Sequence, residues 1–185
     1  KGIQSRDDFT EIQPQGNYIF TKQFDFWENK NYQYFGGDNM PFNGTIDFNG
    51  YHIDTEMGKY NFIFCNTGKD CVLENVVLNV SYNNTTEFSW KFAFVYLNYG
   101  MIRNIMVNVI DSNPVANRSY AIIGQNNYGT LDHFAINMKA PLYGSTDISP
   151  TFMHNFTNGV IKNGYIYGKN IEAVFPISAT KRASG

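Results

Sequence analysis

Met101-Ile102-Arg103-Asn104-Ile105-Met106-Val107-Asn108-Val109 follows Gly100, and 29 residues later it returns as Thr130-Leu131-Asp132-His133-Phe134-Ala135-Ile136-Asn137-Met138 behind Gly129. The kernel Ile102-Arg103-Asn104-Ile105 has further copies at Leu73-Glu74-Asn75-Val76, 29 residues earlier, and at Ile161-Lys162-Asn163-Gly164, preceded by Gly159. Alternating apolar strands follow the kernels: Val76-Leu78-Val80, Ile105-Val107-Val109, Phe134-Ile136-Met138 and, in the last copy, Tyr165-Ile166-Tyr167. A looser copy lies earlier, at Gly44-Thr45-Ile46-Asp47-Phe48. Self-similarity at a fixed period marks units that stack, because one unit cannot bury its apolar face alone.

The shape of a unit follows from its phases. Phe92-Ala93-Phe94-Val95-Tyr96-Leu97 reads as a strand, and Asn98-Tyr99-Gly100 as a turn in which glycine is free to take positive φ. A very short strand, Met101-Ile102, comes next. Ile102 and Ile105 must then both point inward although they are three apart, which a straight strand forbids. A bend at Arg103-Asn104 resolves the conflict, and Asn is one of the few non-glycine residues at ease in the left-handed region. A third strand completes the coil. The spacing therefore predicts an all-β chain: a right-handed parallel β-helix with three short strands per coil.

Stacked coils place equivalent residues about 4.8 Å apart. Asn75, Asn104 and Asn163 should form an amide ladder that His133 interrupts, His being another residue that tolerates the left-handed bend. The preceding column, Glu74, Arg103, Asp132, Lys162, alternates in sign, as stacked charges should. Three polar loops, at 81–87, 111–117 and 141–150, fall at similar phases and should emerge on one side, often the binding side of a repeat protein.

The layout expected is a single domain over 1–185, with coils over 17–168 and a short N-terminal helix within 3–12 covering the first coil. Ser5-Arg6-Asp7-Asp8 has the pattern of a helix start, and Phe9 and Ile12 would face the core. Residues 169–185 offer no convincing cap, so this end is expected to meet a partner or the remainder of a larger polypeptide.

Composition agrees. Charged residues are 16% of the 185 and aromatic residues 17%, a balance that favours strands over helices. The net charge of −2 gives no electrostatic case for nucleic acid. No apolar run approaches the roughly 18 residues of a membrane span, so membrane insertion is not expected. Cys65 and Cys71 are read either as a small-loop disulfide or as two ordinary thiols. No metal-ligand spacing is present, and no cofactor is expected.

Tyr120-Ala121-Ile122-Ile123-Gly124-Gln125-Asn126-Asn127-Tyr128-Gly129-Thr130-Leu131 resembles the GLUG repeat of bacterial surface proteins, with Val95-Tyr96 replacing the aliphatic-Gly step in one coil. Phe42-Asn43-Gly44-Thr45-Ile46-Asp47-Phe48-Asn49-Gly50-Tyr51-His52-Ile53 looks like the opening coil found ahead of such repeats, with Phe48 where that pattern has Gly. Residues 19–26 resemble its first strand. The resemblance implies a pectate-lyase-like β-helix. That fold serves adhesins, polysaccharide lyases and phage tail appendages, often as a homotrimer in the last, so it does not assign a function.

Candidate sites were sought on that scaffold. Hydrolysis of a polysaccharide needs clustered acids. No single coil spacing unites Asp25, Asp47, Asp54 and Glu56 into a cluster, and Arg103 is better placed to pair with Glu74 and Asp132 than to act as a lyase base. His52, His133 and His154 suggest no triad, so no catalytic residue is assigned. Aromatic residues are the stronger lead. Tyr99 and Tyr128 precede the turn glycines and are 29 apart, and Phe156 would extend their row. With Asn98, Asn127 and Asn158 beside them, and Trp90 and Trp27 as further stacking residues, they are expected to form a carbohydrate platform. The sequons at Asn43, Asn84, Asn117 and Asn155 carry little weight in so Asn-rich a chain. The function expected is a non-catalytic attachment module of an extracellular, cell-surface or virion protein, binding a glycan or other surface receptor. A polysaccharide-degrading enzyme and a structural spacer are the alternatives.

Overall fold

Alternation of apolar and polar residues, broken once per coil, sets the architecture. A computed structural model describes residues 1–25, 35–37, 39–57, 63–82, 91–92, 94–110, 120–139, 151–155 and 158–168. In chain order the elements are β1 (Gly2–Ile3), α1 (Arg6–Thr10), β2 (Asn17–Phe20), β3 (Thr45–Asp47) and β4 (His52–Met57). They continue with β5 (Phe64–Asn66), β6 (Val72–Tyr82), β7 (Lys91–Phe92), β8 (Val95–Asn98) and β9 (Met101–Val109). β10 (Tyr120–Asn127), β11 (Thr130–Met138), β12 (Thr151–Asn155) and β13 (Val160–Gly168) follow. Every pairing between named strands is parallel, and the chain is a parallel β-solenoid of about 3 turns.

One sheet runs β1-β2-β3-β6-β9-β11-β13, with β4 also on β6; the other runs β12-β10-β8-β5, with β7 on β10. The long strands bend where the phase of the sequence requires it. Asn75, Asn104, His133 and Asn163 have φ of 59°, 53°, 52° and 54°. Each bend divides its strand, so the larger sheet supplies two walls of the coil and the smaller sheet the third. Ile102 and Ile105, on either side of the bend, are both buried. Asn49 makes the same bend in the preceding coil at φ 53°. There the corner is two residues longer: Asp47 pairs with Glu74, and His52 with Val77.

The turn glycines differ from expectation. Gly36 and Gly50 take positive φ, whereas Gly100 and Gly129 do not. Close approach of the previous coil excludes a side chain there: an added Cβ would lie 2.5 Å from the Cys71 carbonyl oxygen at Gly100, and 2.1 Å from the Gly100 carbonyl oxygen at Gly129. The strand expected over 92–97 is divided into β7 and β8. Gly124 pairs with Val95, one position from the alignment with Tyr96.

Side chains fill the interior in columns. Leu73, Ile102 and Leu131 form one, and Leu78, Val107 and Ile136 another. In the column Val76, Ile105, Phe134, Gly164 the sizes compensate: Phe134 occupies the space that a Cβ on Gly164 would need. Phenylalanines fill the N-terminal coils, where the Phe20 and Phe48 centroids are 4.7 Å apart and Phe64 meets Phe94 edge-on. Burying each such side chain contributes about 1.5–3 kcal/mol.

Helix α1 covers the first coil. Ser5 Oγ accepts from the Asp8 N–H, and Asp8 Oδ2 accepts from the Gln4 N–H, an N-terminal cap. The Gln4 N–H is also the main reason that the Asp8 carboxyl is held below its usual range. Phe9 and Ile12 are buried, with Phe9 edge-on to Phe35 at 4.6 Å. Cys65 and Cys71 are not joined by a disulfide, and burial pushes the Cys71 thiol up to about 12. The three polar loops lie mostly outside the described residues, as do Trp27 and residues 169–185.

Candidate functional site

Parallel stacking brings polar side chains from successive coils into lines, and three such lines place the candidate residues. At the bend, Asn104 Nδ2 donates to Asn75 Oδ1 at 3.0 Å, and Asn75 Nδ2 donates to Asp47 Oδ1 at 2.9 Å. His133 interrupts the ladder; its Nδ1 lies 2.8 Å from Asp132 Oδ1. Asn163 Nδ2 donates to the same oxygen at 2.8 Å. The charge column is in register as expected, with Arg103 Nε 2.6 Å from Glu74 and Lys162 Nζ 3.5 Å from Asp132. The hydrogen bond from Asn163, helped by His133 and Lys162, holds the Asp132 carboxyl below the usual carboxylate range.

A second ladder was not foreseen. Asn137 donates to Asn108 at 3.2 Å, Asn108 to Asn79 at 2.9 Å, and Asn79 to Asp54 Oδ1 at 2.7 Å. Its signal was the recurrence of Asn at 79, 108 and 137, 29 residues apart. This ladder and the bend ladder both end on an aspartate, a group that only accepts when ionised and so suits the last position of a donor chain.

The third line runs along the turn edge and holds the aromatic candidates. Asn98 and Tyr99 are neighbours, as are Asn127 and Tyr128, so their side chains point to opposite sides of the wall. The tyrosines project outward. Their rings are stacked, with centroids 4.7 Å apart and planes 7° from parallel. Tyr99 is 46% exposed. Burial, aided by Tyr99 and Tyr96, raises the Tyr128 phenol, which therefore stays a neutral donor at physiological pH. The rings cover each other, so the available stacking surface is the end of the column rather than its flank. On the N-terminal side the column stops at Tyr99: Thr67 lies beside Asn98, which leaves Gly68 at the tyrosine position of the preceding coil.

Asn98 and Asn127 must be reassigned. Both are fully buried, so they do not stand beside the tyrosines at the surface. Thr67 Oγ1 donates to Asn98 Oδ1 at 2.9 Å, and Asn98 Nδ2 donates to Asn127 Oδ1 at 2.7 Å. Asn127 Nδ2 donates to the Gly129 and Val160 carbonyl oxygens. These amides bind the turns to one another from inside. Asn158 is exposed on its turn, while Phe156 and Trp90 lie outside the described residues.

Two cavities accompany the stacked walls. One, of about 600 Å³, adjoins the turn edge before Tyr99 and is lined by residues including Pro14, Met40, Asn43, Gly68 and Lys69. The signal for it was a turn two residues longer at 67–72 than at 98–101. The other, of about 480 Å³, is lined by Gln23, Phe24, Asp25, His52 and Asp54. It gathers Asp25 and Asp54, which are 29 residues apart and so stand one coil from each other, as do Gln23 and His52. Both Asp54 oxygens are engaged there: Oδ1 by Asn79, and Oδ2 by His52 Nε2 at 3.5 Å. Among the described residues no group of three or more His, Cys, Asp or Glu could hold a metal ion.

No protein family matches this chain, and no similar curated protein or solved structure is found.

Proposed function

We propose that the chain is a non-catalytic attachment module that binds a surface glycan at its turn edge. The observation that carries this reading is the exposed end of the Tyr99–Tyr128 stack. A sugar ring placed against Tyr99 continues the column, apolar face to aromatic face, where Gly68 supplies no ring of its own. Tyr128 backs Tyr99 from the other side and holds its ring in the stacking plane. The GLUG-like spacing around Gly124 and Gly129 supports a pectate-lyase-like β-helix carried by an extracellular, cell-surface or virion protein, such as a bacterial adhesin or a phage tail appendage. A glycan array probed with the 185-residue chain tests the proposal. Binding that falls at least about tenfold in both Tyr99→Ala and Tyr128→Ala, with no turnover, is the expected result. An empty array leaves the spacer reading.

One observation favours a second reading, cleavage of the polysaccharide: Asp25, His52 and Asp54 line a single cavity. Against it, Asp54 Oδ1 accepts from Asn79 at 2.7 Å and so already terminates the amide ladder. Release of reducing or unsaturated ends from a bacterial polysaccharide panel would overturn the non-catalytic proposal.

A further inference from the structure

We propose that the cavity before Tyr99 is a subsite for an acetamido sugar, so that the ligand is a neutral N-acetylated glycan lying along the turn edge from Met40 to Tyr99. This rests on the reading of the tyrosine column as a glycan surface and names what that surface selects.

Position comes first. Gly68 lines the cavity. The residue before it, Thr67, accepts the Tyr99 N–H on its hydroxyl at 3.1 Å, so cavity and column occupy adjacent turns of one edge. A volume of about 600 Å³ lies within the range of small-ligand sites.

The lining supplies the chemistry. Pro14, Met40 and Pro41 form an apolar wall, and Met40 is 64% exposed because a tight turn, closed by its N–H on the Gly37 carbonyl oxygen at 3.1 Å, projects it. The neutral amides of Gln15 and Asn39 line it too, each with donors and an acceptor, beside Gln13, whose Nε2 donates to the Glu11 carbonyl oxygen. An acetamido group has the matching parts: a methyl for the apolar wall, and an N–H and a carbonyl for the amides. The wall is held in place, since Asn43 Nδ2 donates to Asp70 Oδ2 and Asn43 Oδ1 accepts the Asp70 N–H. No carboxylate is among the described residues that line the cavity, which give an amino sugar no counter-charge. Lys69, the one cation among the described lining residues, is followed by Asp70, so a polyanion gains little.

The test compares three tetrasaccharides on the same β-1,4 backbone by calorimetric titration: N-acetylglucosamine, its deacetylated form, and glucose. The acetylated tetramer is expected to bind at least about tenfold tighter than the other two, the scale on which a site built for polar groups rejects a ligand lacking them. Met40→Ser, at an exposed position, and Asn39→Ala should each weaken it several-fold, and Tyr99→Ala should weaken all three. Equal affinities, or Met40→Ser and Asn39→Ala proteins that bind like the parent, overturn the subsite. If Tyr99→Ala still weakens binding in that case, the tyrosine surface stands without it. If no tetramer binds and the array is also empty, both readings fall.

Discussion

Asn104 carries two separable tasks, and substitution divides them. Its backbone sits at φ 53°, a conformation that costs an L-residue with a Cβ about 1–2 kcal/mol. Its exposed amide donates to Asn75 at 3.0 Å, a bond contributing about 0.5–1.5 kcal/mol. Asn104→Ala loses both and should destabilise the chain by about 2 kcal/mol in urea unfolding. Asn104→Gly keeps the bend and loses only the ladder bond, so it should cost about half as much. Equal losses would mean that the ladder, not the bend, is what Asn104 contributes. His133 supports the same division, since it holds φ 52° without extending the amide chain.

A strand of this solenoid is held by what stands above and below it, and Asp132 on β11 makes that testable through pH. Its folded carboxyl lies below the usual range because of Asn163 on β13, with His133 and Lys162 assisting. Folding is therefore favoured by its ionised form. The contribution is complete above the unfolded value near about 3.9 and is lost as pH falls through the lower folded value. Urea midpoints measured from pH 6 to pH 3 should fall less steeply at the acid end for Asp132→Asn than for the parent, and an unchanged slope would remove the linkage. The same column marks how far the sequence could be read. Glu74, Arg103, Asp132 and Lys162, with the bends beside them, were legible because their spacing is regular and a break in apolar phase has only one remedy. Adjacency in sequence to Tyr99 and Tyr128 does not put Asn98 and Asn127 on the same face, because neighbours in a strand point to opposite sides. The cavity beside Gly68 was illegible because it arises where coil length departs from 29 residues, whereas the one between Asp25 and Asp54 has its signal in their 29-residue separation.

At the scale of the whole molecule, stability should be the sum of intrinsic coil terms and the interfaces between neighbours. A coil can then be removed if it is removed in phase. Excising residues 101–129 joins Gly100 to Thr130 and brings β6 directly against β11 in the register each now shares with β9. The apolar columns survive, with Leu73 meeting Leu131 and Leu78 meeting Ile136. The charge column does not, because Glu74 then faces Asp132, and stacked like charges are unfavourable by about 0.2–1 kcal/mol. The shortened chain should therefore keep a β-rich circular dichroism spectrum, unfold at lower urea than the parent, and recover part of that loss with Glu74→Arg, which restores alternation with Asp132 and Lys162. A control excision of residues 101–124 puts every column out of phase and should not fold. If the two excisions behave alike, in-register contact between successive coils is not what holds the molecule together. The tyrosine edge would then lose the scaffold on which its stacking depends.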